Sequence, residues 1–160
     1  MDQTRGMSVF SASKRSTAVV PYPRDAVWAV LTDAKQVAKL TPMVRSIEDR
    51  GETWLWKLAP IEVLGKSIGL SFTERMDLHP VERIVFTHDP QGDERAGVEG
   101  TYLLEEKSSA TRLSIDLEVN VNLPFPRLAK PAVQTSMQAV IAAMGAGFAH
   151  NLERHLKSHH

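Results

Sequence analysis

The stretch that decides the fold is VVPYPRDAVWAVLTDA, residues Val19–Ala34. It opens on β-branched residues, and Pro21 and Pro23 then interrupt it. Proline has no N–H to give to a strand ladder, so a strand running over 8–20 ends here. Pro23 suits the first position of a helix, where a missing N–H costs nothing. Asp25 falls in the first turn, where the helix dipole favours a negative charge. Val27, Trp28 and Leu31 then supply an apolar face at helical spacing. Thr32 and Asp33 break this helix. Asp33 can cap a second short one, Ala34–Leu40, which Pro42 ends.

Strand signals follow with short turns between them. They are MVRSIED (43–49), TWLWKL (53–58), SIGLSFTERMDL (67–78), ERIVFTH (82–88), VEGTYLLEE (98–106) and TRLSIDLEVNV (111–121). DPQGDERAG (89–97) reads as a polar loop. In 67–78 Leu70, Phe72, Met76 and Leu78 share a face. In 111–121 Leu113, Ile115, Leu117, Val119 and Val121 share one, with Arg112, Asp116 and Glu118 opposite. This alternation is that of an antiparallel sheet with one wet face. NLPFPRLAKP (122–131) is a bent connector, and Pro131 opens a helix predicted over 131–157. Its stripe is Val133, Met137, Val140, Ile141, Met144, Phe148, Leu152 and Leu156, in steps of three and four. Gly145 and Gly147 interrupt it and predict close packing or a slight bend. The fold class is α+β: a curved antiparallel sheet of about seven strands wrapped on a long C-terminal helix, with two short helices after strand 1.

The 160 residues fit one domain, predicted over 8–157, with a disordered 1–7 and a tail at 158–160. Lys plus Arg equals Asp plus Glu at 19 each, which argues against nucleic acid as a partner. The absence of cysteine removes disulfides, thiolate catalysis and cysteine-ligated zinc. MDQTRGMSVFSASKR has no apolar core of signal-peptide length. The run Ala139–Ala149 is about half of what a membrane span needs, so no stable membrane insertion is expected. The expected setting is the cytoplasm.

The element order and the run PYPRDAVWAVLTDAKQVAKLTPMVRSIE resemble the START/Bet v 1-like superfamily, in its polyketide cyclase/dehydrase and lipid transport type. The matching positions are Pro21, Val27, Trp28, Asp33 and Pro42. The likeness spans most of the chain in element order and about residues 17–48 in motif. The resemblance implies a helix-grip fold with a deep apolar cavity between sheet and helix. It implies no particular activity, because such scaffolds host many pocket chemistries. No residue set matches a cyclase or hydrolase member.

The candidate ligand-contacting residues come from the inner faces. Glu74 falls among Leu70, Phe72, Met76 and Leu78. A carboxyl there either acts as an acid or ligand anchor with a raised pKa, or is structural, lying near the cavity mouth or pairing with a nearby arginine. His88 and Tyr102, on the alternations of Phe86 and Leu104, either join Glu74 in a small polar site or form a satisfied core network. Trp54 and Trp56 share a face, as a pocket wall or as ordinary packing. Met137, Ile141, Met144 and Phe148 face inward from the last helix, as adaptable lining or plain core. No catalytic residue and no cofactor is assigned. His155 and His159 stand four apart with no carboxylate to complete a metal site, so no metal is assigned either. The leading function is binding of a hydrophobic or amphipathic small molecule, such as a lipid, quinone or polyketide-like compound. The alternatives are a cyclase/aromatase-type enzyme using the same cavity, and a protein-interaction module with a closed core.

Overall fold

The computed structural model describes residues 7–159. Strand β1 (Ser8–Val20) leads into helices α1 (Arg24–Leu31) and α2 (Ala34–Leu40). Strands β2 (Val44–Asp49), β3 (Thr53–Leu58), β4 (Ile61–Val63) and β5 (Lys66–Ile68) come next. They are followed by β6 (Ser71–His79), β7 (Arg83–His88), β8 (Ala96–Lys107) and β9 (Ala110–Leu123). A 3-10 turn (Arg127–Ala129) precedes the long helix α3 (Lys130–His159).

Seven strands form one antiparallel sheet in the order β1-β9-β8-β7-β6-β3-β2, and β4 and β5 form a separate hairpin. The first two strands of the chain are therefore the two edges, and α1 and α2 carry the chain from one edge to the other. This is the helix-grip arrangement. Pro23 stands one position earlier than expected, as the extended N-cap of α1. Its carbonyl accepts from the N–H groups of Ala26 and Val27. Asp33 caps α2, accepting from Lys35 N at 3.1 Å and Gln36 N at 3.3 Å.

The run 67–78 is two strands, not one. It breaks at Gly69–Leu70, where Leu58 N donates to Leu70 O at 3.0 Å. The apolar alternation passes through this break, so pattern alone does not show it. Leu78 shares the parity of Met76 but is 45 % exposed. Pairing of β3 with β6 stops at Arg75, so Leu78 lacks a neighbour strand on that side.

The core forms two clusters. At one end α1 and α2 bury Val27, Leu31, Val37 and Leu40 against Trp54, Ile84, Leu104, Leu152 and Leu156. At the other, Phe10, Leu123, Phe125, Val133 and Met137 pack with Ile61, Val63 and Ile68 of the hairpin. Gly147 lets α3 approach the turn after α2, because a Cβ there would overlap the Pro42 ring. Asn151 Nδ2 donates to Leu40 O at 2.9 Å and pins the same contact.

Helix α3 continues to His159, through the first two residues of the expected tail. Ser158 Oγ donates to Arg154 O at 3.1 Å, and the His155 and His159 rings stack at 4.3 Å. The expected disordered stretch 1–7 lies outside the described residues except for Met7, as does His160. Among the described residues no helix is long and apolar enough to cross a membrane, and no three His, Asp or Glu side chains converge as a metal site.

Candidate functional site

Between the two clusters, sheet and α3 line a partly open cavity of ≈ 210 Å³. That is far above the ~10–15 Å³ that admits one water. Its walls are mostly apolar, because three sets of inward-facing positions meet there. β3, β6, β7 and β8 contribute Trp56, Phe72, Phe86 and Val98. The β4–β5 hairpin contributes Ile61, Val63 and Ile68, and α3 contributes Met137, Ile141, Met144 and Phe148. Trp56 stacks on Phe72 with ring centroids 5.6 Å apart, and Phe86 tilts on Tyr102 at 5.2 Å.

Few polar groups face this space. Glu74 is 3 % exposed and makes no hydrogen bond or ion pair of bonding geometry. Burial pushes its carboxyl up to about 8, against the opposing pull of the Trp56 indole. The carboxyl is therefore mostly neutral at pH 7. The Trp56 Nε1–H itself is buried with no partner at hydrogen-bonding geometry. It lies near enough to favour the Glu74 carboxylate without closing a bond to it. Burial, and then the proximity of Glu74, push the Tyr102 hydroxyl above its ordinary range, so it keeps its proton. Lys14, Ser16 and Thr41 complete the polar lining.

Leu70, Phe72, Glu74, Phe86 and Tyr102 thus border the cavity, as do Trp56, Met137, Ile141, Met144 and Phe148. Three of the expected residues do not. Trp54 and Leu104 point inward but are packed solid beneath α1 and α2. His88 leaves the inner face altogether. Pairing of β7 with β8 ends at Phe86–Gly100, while the other edge of β7 stays paired with β6 through Glu74–His88. The His88 ring lies against Gly97, where any Cβ would collide with it, and Nε2 meets Glu94 Oε1 at 3.0 Å. Glu94 also accepts from Thr73 N at 2.8 Å and Thr73 Oγ1 at 2.7 Å. Thr73 and Glu74 are successive strand residues, so this second cluster sits on the outer face.

Sequence reading missed Lys14 and the hairpin residues. Lys14 and Ser16 alternate with exposed Arg15, but a polar inner face on an edge strand gives no apolar signal. The segment IEV (61–63) is too short to show a period.

A family model described as polyketide cyclase/dehydrase and lipid transport matches residues 20–144. The chain belongs to this family. The match runs from the end of β1 to the cavity-lining Met144. Members of the polyketide cyclase/dehydrase and lipid transport family and their structural kin share this scaffold. The Zhui aromatase/cyclase from Streptomyces sp. R1128 superposes with a TM-score of 0.69 at 17 % identity, over 92 % of this chain and 94 % of that one. A START superfamily protein from Mycobacterium smegmatis gives 0.67 at 17 %, over 92 % and 99 %. A protein from Thermus thermophilus gives 0.64 at 20 %, over 88 % and 97 %. At these identities the likeness is one of fold. The chain matches no curated protein.

Proposed function

We propose that this chain binds a hydrophobic or amphipathic small molecule, a lipid, quinone or polyketide-like compound, in the cavity between sheet and α3. The observation that carries this reading is the cavity itself: ≈ 210 Å³ between two packed clusters, with a single unpaired carboxyl in an apolar wall. Affinity comes from apolar area removed from water, at ~25 cal/mol per Å² before ordering costs.

The polar groups favour one kind of ligand. The Tyr102 hydroxyl keeps its proton, and Glu74 is a neutral acid below about 8. A ligand oxygen that accepts, such as a carbonyl, satisfies these donors. Lys14 in the same wall disfavours a cation. The unfilled cavity also speaks against the closed-core interaction module.

Prodan, a naphthyl ketone whose emission shifts to the blue in apolar surroundings, tests the reading. Saturable blue-shifted binding is expected in the wild type. Met144→Trp, which fills the cavity from α3, should abolish it while circular dichroism stays native. No shift in the wild type, or undiminished binding in Met144→Trp, overturns the proposal.

A cyclase-type reaction is the second reading. It is favoured by one observation: Glu74 titrates near working pH beside the Tyr102 hydroxyl, as a proton-transfer group needs. Turnover of a poly-ketone thioester that is lost in Glu74→Gln supports it, and turnover that is unchanged dismisses it.

A further inference from the structure

The end of the molecule formed by the hairpin and the β9–α3 connector carries leucines in solvent. The hairpin closes through Leu64–Gly65, both at positive φ, 48° and 81°. A two-residue turn of this kind favours Asn-Gly. Here a leucine occupies a backbone region that bulky residues seldom adopt, and its side chain is 47 % exposed. In the connector, Leu128 is 95 % exposed, the most of any large apolar side chain among the described residues. The two segments adjoin: Lys66 Nζ lies 5.6 Å over the Phe125 ring, and Val63 and Phe125 share one buried cluster.

Exposed cations stand beside these leucines, and the acidic 89–95 loop meets β9 just before the connector, where Asn122 N donates to Arg95 O at 2.8 Å. Lys66, Arg127 and Lys130 are exposed. The chain from Val119 to Leu152 contains no Asp or Glu. The hairpin's one acid, Glu62, pairs in register with Ser67, one step back from the Val63–Lys66 pair at the turn.

We propose that this end docks on the surface of an anionic lipid bilayer. Leu64 and Leu128 enter the headgroup boundary, and Lys66, Arg127 and Lys130 meet the lipid phosphates. A protein partner of stable affinity calls for a contiguous apolar face. Separate leucine tips set among cations suit an interfacial layer, where shallow insertion and charge attraction add. Docking goes beyond the cavity reading but touches it. Val63, next to Leu64, lines the cavity, so the docked hairpin would stand between cavity and bilayer.

Co-sedimentation of the full chain with vesicles tests this. Phosphatidylcholine vesicles are compared with phosphatidylcholine–phosphatidylserine vesicles, without any cavity ligand. The wild type should bind the anionic vesicles and release as salt rises, since charge attraction is screened. Leu128→Ser should weaken binding about tenfold. The triple change Lys66→Gln, Arg127→Gln, Lys130→Gln should weaken it about 100-fold, at roughly fivefold per cation. Leu128 is solvated, so folding is not at risk. No binding to anionic vesicles, equal binding to both kinds, or wild-type binding by Leu128→Ser each overturns the proposal. So does a monomer–oligomer shift in Leu128→Ser without vesicle binding, which would make the patch a self-association face. Prodan binding by wild type and Met144→Trp reports on the cavity separately, so failure of either idea is distinguishable.

Discussion

Two carboxyls flank the same strand and end in opposite charge states. Glu94 approaches β6 from the outer face, where its side chain is 8 % exposed. Glu74 points from β6 into the cavity and is 3 % exposed. Burial raises the pKa of both. At Glu94, hydrogen bonds from Thr73 Oγ1, Thr73 N, Gln91 N and His88 outweigh that cost and hold the carboxyl below its ordinary value. Glu74 has only the nearby Trp56 indole to oppose burial, and rises to about 8. Depth alone therefore does not set the charge; the donors within reach do.

The largest expected effect is on stability against pH. Folded Glu74 holds its proton more tightly than the unfolded chain does. Its contribution is complete below the ordinary value of 4.5 and is lost as pH rises toward about 8. Stability to urea should fall by a few kcal/mol across that window, and Glu74→Gln should flatten the slope. An equal slope in both proteins would erase the contrast with Glu94. Glu94 runs the other way: its contribution is present above 4.5 and is lost as pH falls below it.

Thr73→Val removes a hydroxyl donor from an ionised carboxyl and keeps the shape. A loss of about 2 kcal/mol at neutral pH is expected, with a shallower acid limb. Full stability in urea at pH 7 would mean that the backbone donors suffice. His88→Ala should cost about 1 kcal/mol and leave Prodan affinity within about twofold, because the ring is outside the cavity. A large loss of affinity would return His88 to the site. Smallest of all is Asp116→Asn, which removes the exposed 3.1 Å pair with Arg15. Unfolding free energy should change by less than about 0.5 kcal/mol, with Prodan binding intact.

Much of the site was legible because strands alternate. The parity of Phe72, Glu74, Phe86 and Tyr102 put them on inner faces, and those faces border the cavity. The same parity misplaced His88: β6 still pairs it with Glu74, yet the ring lies against Gly97 and bonds Glu94, past the point where β8 lets go. Trp54 and Leu104 were on the correct face, yet their distance along the strand put them under α1 and α2. The hairpin was missed because three-residue strands carry no readable period. The long helix was legible over nearly its whole length, since its stripe repeats many times.

By itself, then, the sequence determined the element order, the prolines that detach β1 from α1, and the inward face of most strands. These are local properties, set by backbone sterics and by side-chain periods of 2 and 3.6. Only the tertiary structure decided where the inner face meets empty space and where it meets packed helices. It also decided which of two buried carboxyls finds donors, and that the hairpin and the connector bring Leu64 and Leu128 to one end. The reason is physical: space, pairing and proximity depend on elements far apart in the chain, and a local period carries no record of what lies across from it.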